Sequence, residues 1–346
     1  MPYDTLLSPV TIGNLALRNR VVMAPLARNR ASQPGDVPVE INAHYYAQRA
    51  SAGLIVTEPA HISPQGKGGW AAPGIHSDAQ EAGWKAVVGA VHARHGRIAA
   101  LLSHAGRVSH RCLQDDGAPP VAPSAIRATD AQVFVQRDDG TLGFIGADDP
   151  RPLETGEIAG IVLQFVDAAH RAARADFDMI EIDAAHGGLL HQFIATGANR
   201  RSDEYGGSIE NRARIVVDVL EAVAGVIGAN RVGIRMSLES SAYLAGELKR
   251  IGIAYVQLDQ PDDALRDAFG GAVIVCGECT AEEADAQIAR GDADAVAFGR
   301  AFVANPDLVE RLEANAPLAQ ADLSTLNGGD ERGYTDYPTR DEAERD

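Results

Sequence analysis

Asp178-Met-Ile-Glu-Ile-Asp-Ala-Ala-His-Gly-Gly188 reads as a buried strand that runs out into a loop. Residues 179–182 are apolar around a single Glu, and the glycines behind His186 open the chain into a turn. Asp183 and His186 stand at that exit, three residues apart. In parallel α/β proteins, function collects at the C-terminal ends of the strands, which makes this exit the first candidate for chemistry. Similar strand-length apolar runs occupy 20–24, 54–58, 98–104, 232–237, 254–258, 272–276 and 295–299. Helical patterns alternate with them at 39–51, 78–95, 155–175, 209–227, 240–251, 280–290 and 306–315. The crossover at 262–269 has room for only a short helix. Eight such alternations without a reversal predict an α/β fold, a (β/α)8 TIM barrel, as one domain over 1–346.

Several helix starts carry a hydroxyl ahead of acidic first-turn residues: Thr155-Gly-Glu-Ile, Ser208-Ile-Glu-Asn and Thr280-Ala-Glu-Glu. The main irregularity, 107–152, is rich in Gly, Pro and Asp and lies between the third strand and its helix. It is expected to project over the barrel top as a wall of the site, because a loop this long usually has a task. Residues 331–346 read as a C-terminal tail whose charged end, 341–346, is expected to fray.

A formal net charge of -17 argues against a nucleic-acid partner, because phosphates would be repelled. No apolar run reaches membrane-spanning length, and Met1-Pro-Tyr-Asp-Thr5 lacks the basic and apolar regions of a secretion signal, so a cytoplasmic protein with no membrane partner is expected. The three cysteines include Cys276-Gly-Glu-Cys279 without a second pair, and no His or Cys cluster has ligand spacing, so no metal is expected.

Five stretches carry a family pattern in order along nearly the whole chain. They are Val21-Val-Met-Ala-Pro-Leu26, His104-Ala-Gly-Arg-Val-Ser-His110, Arg200-Arg-Ser-Asp-Glu-Tyr-Gly-Gly-Ser-Ile-Glu-Asn-Arg212, Ala297-Phe-Gly-Arg-Ala-Phe-Val-Ala-Asn-Pro-Asp-Leu308 and Gly333-Tyr-Thr-Asp-Tyr-Pro338. The chain resembles the old yellow enzyme family, FMN-dependent ene-reductases built on a barrel. Asp203 to Arg212 reads as scaffold, a loop turning into a capped helix, so fold and function need separate arguments.

The resemblance implies a flavin, a pair of side chains that polarise a carbonyl oxygen, and a phenolic proton donor. The pair falls on Asp183 and His186, where the family has donors at both positions, and the phenol falls on Gly188. An ionised Asp183 would repel a developing oxyanion. At the flavin positions, Ala27 replaces a Thr or Cys, Leu101 replaces a Gln, and Pro59 offers no N–H to the ring. Glu278 follows Gly277 where bare backbone would cradle phosphate, and an aromatic pair has become Leu326-Asn327. Pro25, Arg235, Gly277, Gly299 and Arg300 are the residual flavin positions. Each lost hydrogen bond to a buried polar group costs about 1–3 kcal/mol, so the losses together predict a barrel that works without a cofactor.

The expectation that follows is a flavin-independent, non-redox cyclase or isomerase, including pericyclic ring closure, acting on a bulky hydrophobic polyketide-like molecule of specialised metabolism. Asp183, His186 and Arg235 are its candidate catalytic residues. Ala27, Pro59, Leu101, His104, Gly188, Leu326 and Asn327 are its candidate pocket. Two alternatives stand beside it: an FMN-dependent, NAD(P)H-driven ene-reductase with an atypical site, and a non-catalytic binding protein. A homo-oligomer is compatible with the resemblance.

Overall fold

The computed structural model describes residues 3–345. Its centre is a closed parallel barrel of strands β1 (Val21–Met23), β2 (Leu54–Val56), β3 (Ile98–Ser103), β4 (Met179–Ala184), β5 (Val232–Met236), β6 (Tyr255–Leu258), β7 (Ala272–Cys276) and β8 (Ala295–Phe298). The pairing of β8 with β1 and of β3 with β4 closes the ring. Helices α1 (Glu40–Gln48), α2 (Asp78–His92), α3 (Thr155–Arg174), α4 (Ile209–Ile227), α5 (Ser241–Ile251), α6 (Asp263–Phe269), α7 (Ala281–Arg290) and α8 (Leu308–Glu313) follow the strands in turn. This is the TIM barrel that the alternating pattern predicts. Among the described residues, no helix is long and apolar enough to cross a membrane.

Strand alternation sorts the side chains into two cores. On β4, Ile180, Ile182 and Ala184 join the large cluster shared with the helices, whereas Met179 joins a smaller cluster inside the barrel. That inner cluster holds Val22, Ala24, Leu54, Val56, Ala99, Leu101, Ala295 and Ala297, small enough to fill the tapering ring. By the same alternation Glu181 and Asp183 share the inward side with Met179. A hairpin of Val10–Ile12 against Leu15–Leu17 plugs the N-terminal end, with Ile12 and Leu17 in the inner cluster.

The caps form where hydroxyls precede acidic residues, with one exception. Ser208 accepts from Asn211 N–H and Thr280 from Glu283 N–H. Thr155 instead lies inside α3, whose cap is Glu154, and its Oγ1 donates to Asp203 Oδ2 at 2.6 Å. Residues 107–152 contain an antiparallel hairpin, Gln132–Gln136 with Leu142–Gly146, that the sequence pattern does not announce. The supposed tail is partly core. Tyr334 is fully buried, stacks on Tyr45 with centroids 4.0 Å apart, and accepts from Asn42 Nδ2 at 3.0 Å. Arg28 ties this segment down by donating from Nη2 to Gly333 O at 2.7 Å.

Candidate active site

The end of β4 turns sharply. His186 and Gly187 take positive φ of 49° and 83°, a conformation that is costly for a residue with a Cβ and that redirects the His186 ring. Asp183 accepts from Ser103 Oγ at 3.0 Å and from Ala185 N–H at 3.4 Å. His186 Nε2 lies 3.2 Å from Asp259 Oδ1, and Arg235 Nη2 lies 4.0 Å from the same oxygen. Asp259 thus links the two candidates from β4 and β5, and sequence patterning does not single it out. Its only signal there is its position one residue past the sixth strand.

Asp183, His186 and Arg235 all line one cavity of about 430 Å³ at the barrel top. Ser103 and Gly188 share their wall; Pro25, Leu26, Ala27, Glu58 and Pro59 form the opposite side. Asn327 and the excursion's Phe134 and Phe144 border it above. The two phenylalanines pack at 5.2 Å, and Phe144 remains 52% exposed, which leaves an apolar surface at the mouth. Asn327 is fixed by donating from Nδ2 to Ala27 O at 3.1 Å and to Asn29 Oδ1 at 2.8 Å.

Three expected pocket residues do not line this cavity. Leu101 points inward but sits fully buried in the inner cluster, in register with Glu181, one layer below Asp183. His104 is buried, its Nδ1 accepting from Gly106 N–H at 3.0 Å, and burial pushes its pKa down to about 3. Leu326 contributes its carbonyl, which accepts from Arg28 Nε at 2.9 Å and Arg30 Nη1 at 3.1 Å. In each case the strand or loop is the expected one, but sequence spacing does not reveal which layer a side chain reaches.

A second polar set lies beneath the cavity. Tyr255 OH donates to Glu181 Oε2 at 2.8 Å, with both residues fully buried. Burial pushes the Glu181 carboxyl up to about 7, against the opposing pull of Arg235 and the Tyr255 hydrogen bond. Among the described residues, the Nε of Arg235 and both side-chain polar atoms of Gln257 are buried without a partner. Gly233 makes room for this set, since a Cβ there would sit 2.2 Å from the Tyr255 ring.

Glu58 is also fully inside, and burial raises its pKa while its Oε2 accepts from the N–H groups of Arg28 and Asn29 at 2.9 and 3.0 Å. At the ends of β7 and β8, Gly277 and Gly299 flank an ion pair between Arg300 and Glu278 at 2.7 Å, with side chains 61% and 78% exposed. The thiols of Cys112, Cys276 and Cys279 are free.

Comparison with known proteins gives a consistent answer. The NADH:flavin oxidoreductase / NADH oxidase family matches residues 5–248 and 253–319. A putative 12-oxophytodienoate reductase 4 from Oryza sativa subsp. japonica is 41% identical, over 97% of this chain and 93% of that protein. Morphinone reductase in complex with tetrahydroNAD superposes with a TM-score of 0.94 at 50% identity, covering 98% of this chain and 99% of that one. An old yellow enzyme homologue from Zymomonas mobilis superposes with a TM-score of 0.90 at 38% identity, covering 97% and 99%.

These matches overturn the expected flavin-independent cyclase or isomerase and its lack of a cofactor. Relatives this similar over nearly the full length are reductases of a flavin-named family, and they favour the reductase alternative. The substituted positions mislead when each is counted as a full loss. Leu101 counts as a lost ring contact although it lies below the cavity, and the Glu278 carboxylate counts against phosphate only without its Arg300 partner.

Proposed function

The chain belongs to the NADH:flavin oxidoreductase / NADH oxidase family, and from that premise we propose that it is an FMN-dependent oxidoreductase that uses NADH or NADPH to reduce an electron-poor double bond in a small, largely apolar molecule. The observation that carries this reading is the barrel-top cavity with Arg235 in its wall, the guanidinium's Nε buried and without a partner among the described residues.

Those residues fit a flavin. The Arg235 Nε is an unspent donor for a polar ring edge, and Pro25, Leu26, Ala27 and Pro59 present an apolar bed for a flat aromatic system. Arg300 supplies the cation for a phosphate. Its bond to Glu278 is solvent-exposed, and such pairs are worth at most about 1 kcal/mol, so a dianion can displace it. Pro59 provides no N–H, so the site holds the group with fewer hydrogen bonds than a backbone amide there would allow. Bound FMN supplies a two-electron carrier between a nicotinamide and the substrate. The chain's own contribution is to bind and orient. Asp183 with Ser103 and His186 with Asp259 form the polar wall, while Phe134 and Phe144 keep water from the mouth.

The apolar lining favours a hydrophobic substrate, and the three free thiols favour a reducing, cytoplasmic setting. A homo-oligomer remains part of this reading, supported only by the family resemblance. Titrating the purified protein with FMN, then adding NADH or NADPH without oxygen, tests the proposal. Uptake of flavin absorbance followed by bleaching is expected. Protein that gathers no flavin at millimolar FMN, or whose flavin neither nicotinamide bleaches, refutes it.

A further inference from the structure

Asp183 is a carboxylate on the cavity wall that forms no ion pair among the described residues. Its donors are the Ser103 hydroxyl at 3.0 Å and the Ala185 N–H at 3.4 Å. Among the described residues, no Lys, Arg or His nitrogen forms an ion pair with it. Arg235 is its neighbour in strand register, but the guanidinium lies 4.0 Å from Asp259, which His186 also approaches. The other acid on the wall, Glu58, is already spent on two backbone N–H groups. A half-buried carboxylate facing an apolar cavity is complementary to a cation or an N–H donor, and hostile to an oxygen that gains negative charge.

Gly188 gives a second, independent indication. The three atoms nearest a Cβ there would be carbonyl oxygens, at 3.5 to 3.9 Å, so the space does not exclude a side chain. The position nevertheless offers no hydroxyl or other proton donor to the cavity. Hydride addition to an enone needs both a donor for the oxygen and a proton for carbon; position 188 supplies neither, Ser103 donates to Asp183, and the His186 ring faces Asp259.

We propose that the double bond reduced here is a carbon–nitrogen bond with a cationic nitrogen, an iminium or protonated imine on an apolar skeleton, and that Asp183 holds that nitrogen. The proposal rests on the nicotinamide-driven reading above. Hydride drawn from NADH or NADPH forms a C–H bond at the iminium carbon. The C=N π pair withdraws onto nitrogen as a lone pair, and the positive charge is cancelled. The products are a neutral amine and the oxidised nicotinamide, and no proton is delivered to carbon. Asp183 acts by selecting the cation and keeping a bound imine protonated; its gain is in binding, because the charge it faces fades as hydride arrives. The faces of Phe134 and Phe144 at the mouth are also compatible with an organic cation.

The test uses the FMN-loaded protein with two probes of similar shape, tetrahydroisoquinolinium and neutral 2-tetralone, their binding measured by calorimetry. The cation is expected to bind at least about tenfold tighter, Asp183→Asn to erase that preference, and Asp183→Glu to restore part of it. In turnover, N-methyl-3,4-dihydroisoquinolinium is expected to exceed 2-cyclohexenone in kcat/KM by about tenfold or more. Equal binding of the two probes, or a preference for cyclohexenone by a protein whose flavin is bleached normally, overturns this inference alone. A protein whose flavin is not bleached by either nicotinamide overturns it together with the reading beneath it.

Discussion

The barrel interior has two unlike halves. Along β8, β1 and β2 the inward side chains are small and apolar, Ala295, Ala297, Val22, Ala24, Leu54 and Val56, all nearly or fully buried. Along β4, β5 and β6 they include Glu181, Arg235, Tyr255 and Gln257, with several polar atoms unpaired among the described residues. One half is held by packing, whose strength does not depend on protons. The other holds the Glu181 carboxyl beneath the cavity, where burial pushes its pKa up. The apolar half holds the ring, and the polar half gives the site its electrostatics.

Breaking the apolar half should have the largest effect. Leu54→Ala removes a fully buried side chain from the inner cluster and is expected to cost about 2–5 kcal/mol, equally at pH 5 and pH 8, by urea denaturation. The polar half should respond differently. Glu181 is raised from 4.5 to about 7, so its favourable contribution is complete below about 4.5 and is lost as pH climbs through about 7. Relative to the parent, Glu181→Gln should therefore gain stability between pH 5 and pH 8, by on the order of 3 kcal/mol. A parent-to-variant difference that stays flat with pH would show that Glu181 is ionised in the folded protein.

A smaller effect separates shape from charge within the polar half. Gly233→Ala drives a Cβ against the Tyr255 ring and should cost about 1–3 kcal/mol, with little pH dependence of its own. Unaltered thermal stability would mean that the ring shifts freely and that Glu181 does not depend on it. The smallest change lies outside both halves. Glu278→Gly frees Arg300 and should tighten FMN binding by about threefold, measured by absorbance titration at low salt. Unchanged affinity would assign the phosphate to other groups.

Much of this is legible in the amino-acid sequence alone. The alternating runs locate all eight strands to within a few residues, because a buried parallel strand needs a continuous apolar stretch. The motif positions also bring Asp183, His186 and Arg235 to one cavity. Leu101 shows where spacing fails: alternation assigns it to the inside of the barrel, but a barrel interior is stacked in layers, and Leu101 belongs to the one below the cavity. Asp259 and Ser103 escape sequence patterning because neither belongs to a motif; each matters only through a partner 73 or 80 residues away in the chain.

The sequence by itself determined the barrel, the family pattern and the strand end at which Asp183 and His186 emerge. Those features depend on periodicity and local chemistry, which a linear chain carries openly. Only the tertiary structure decided that burial raises the Glu181 carboxyl to about 7 and that, among the described residues, Arg235 Nε has no partner and Asp183 forms no ion pair. Charge state and hydrogen-bond satisfaction depend on the groups that converge from distant strands and on the water they exclude, and no stretch of sequence contains both.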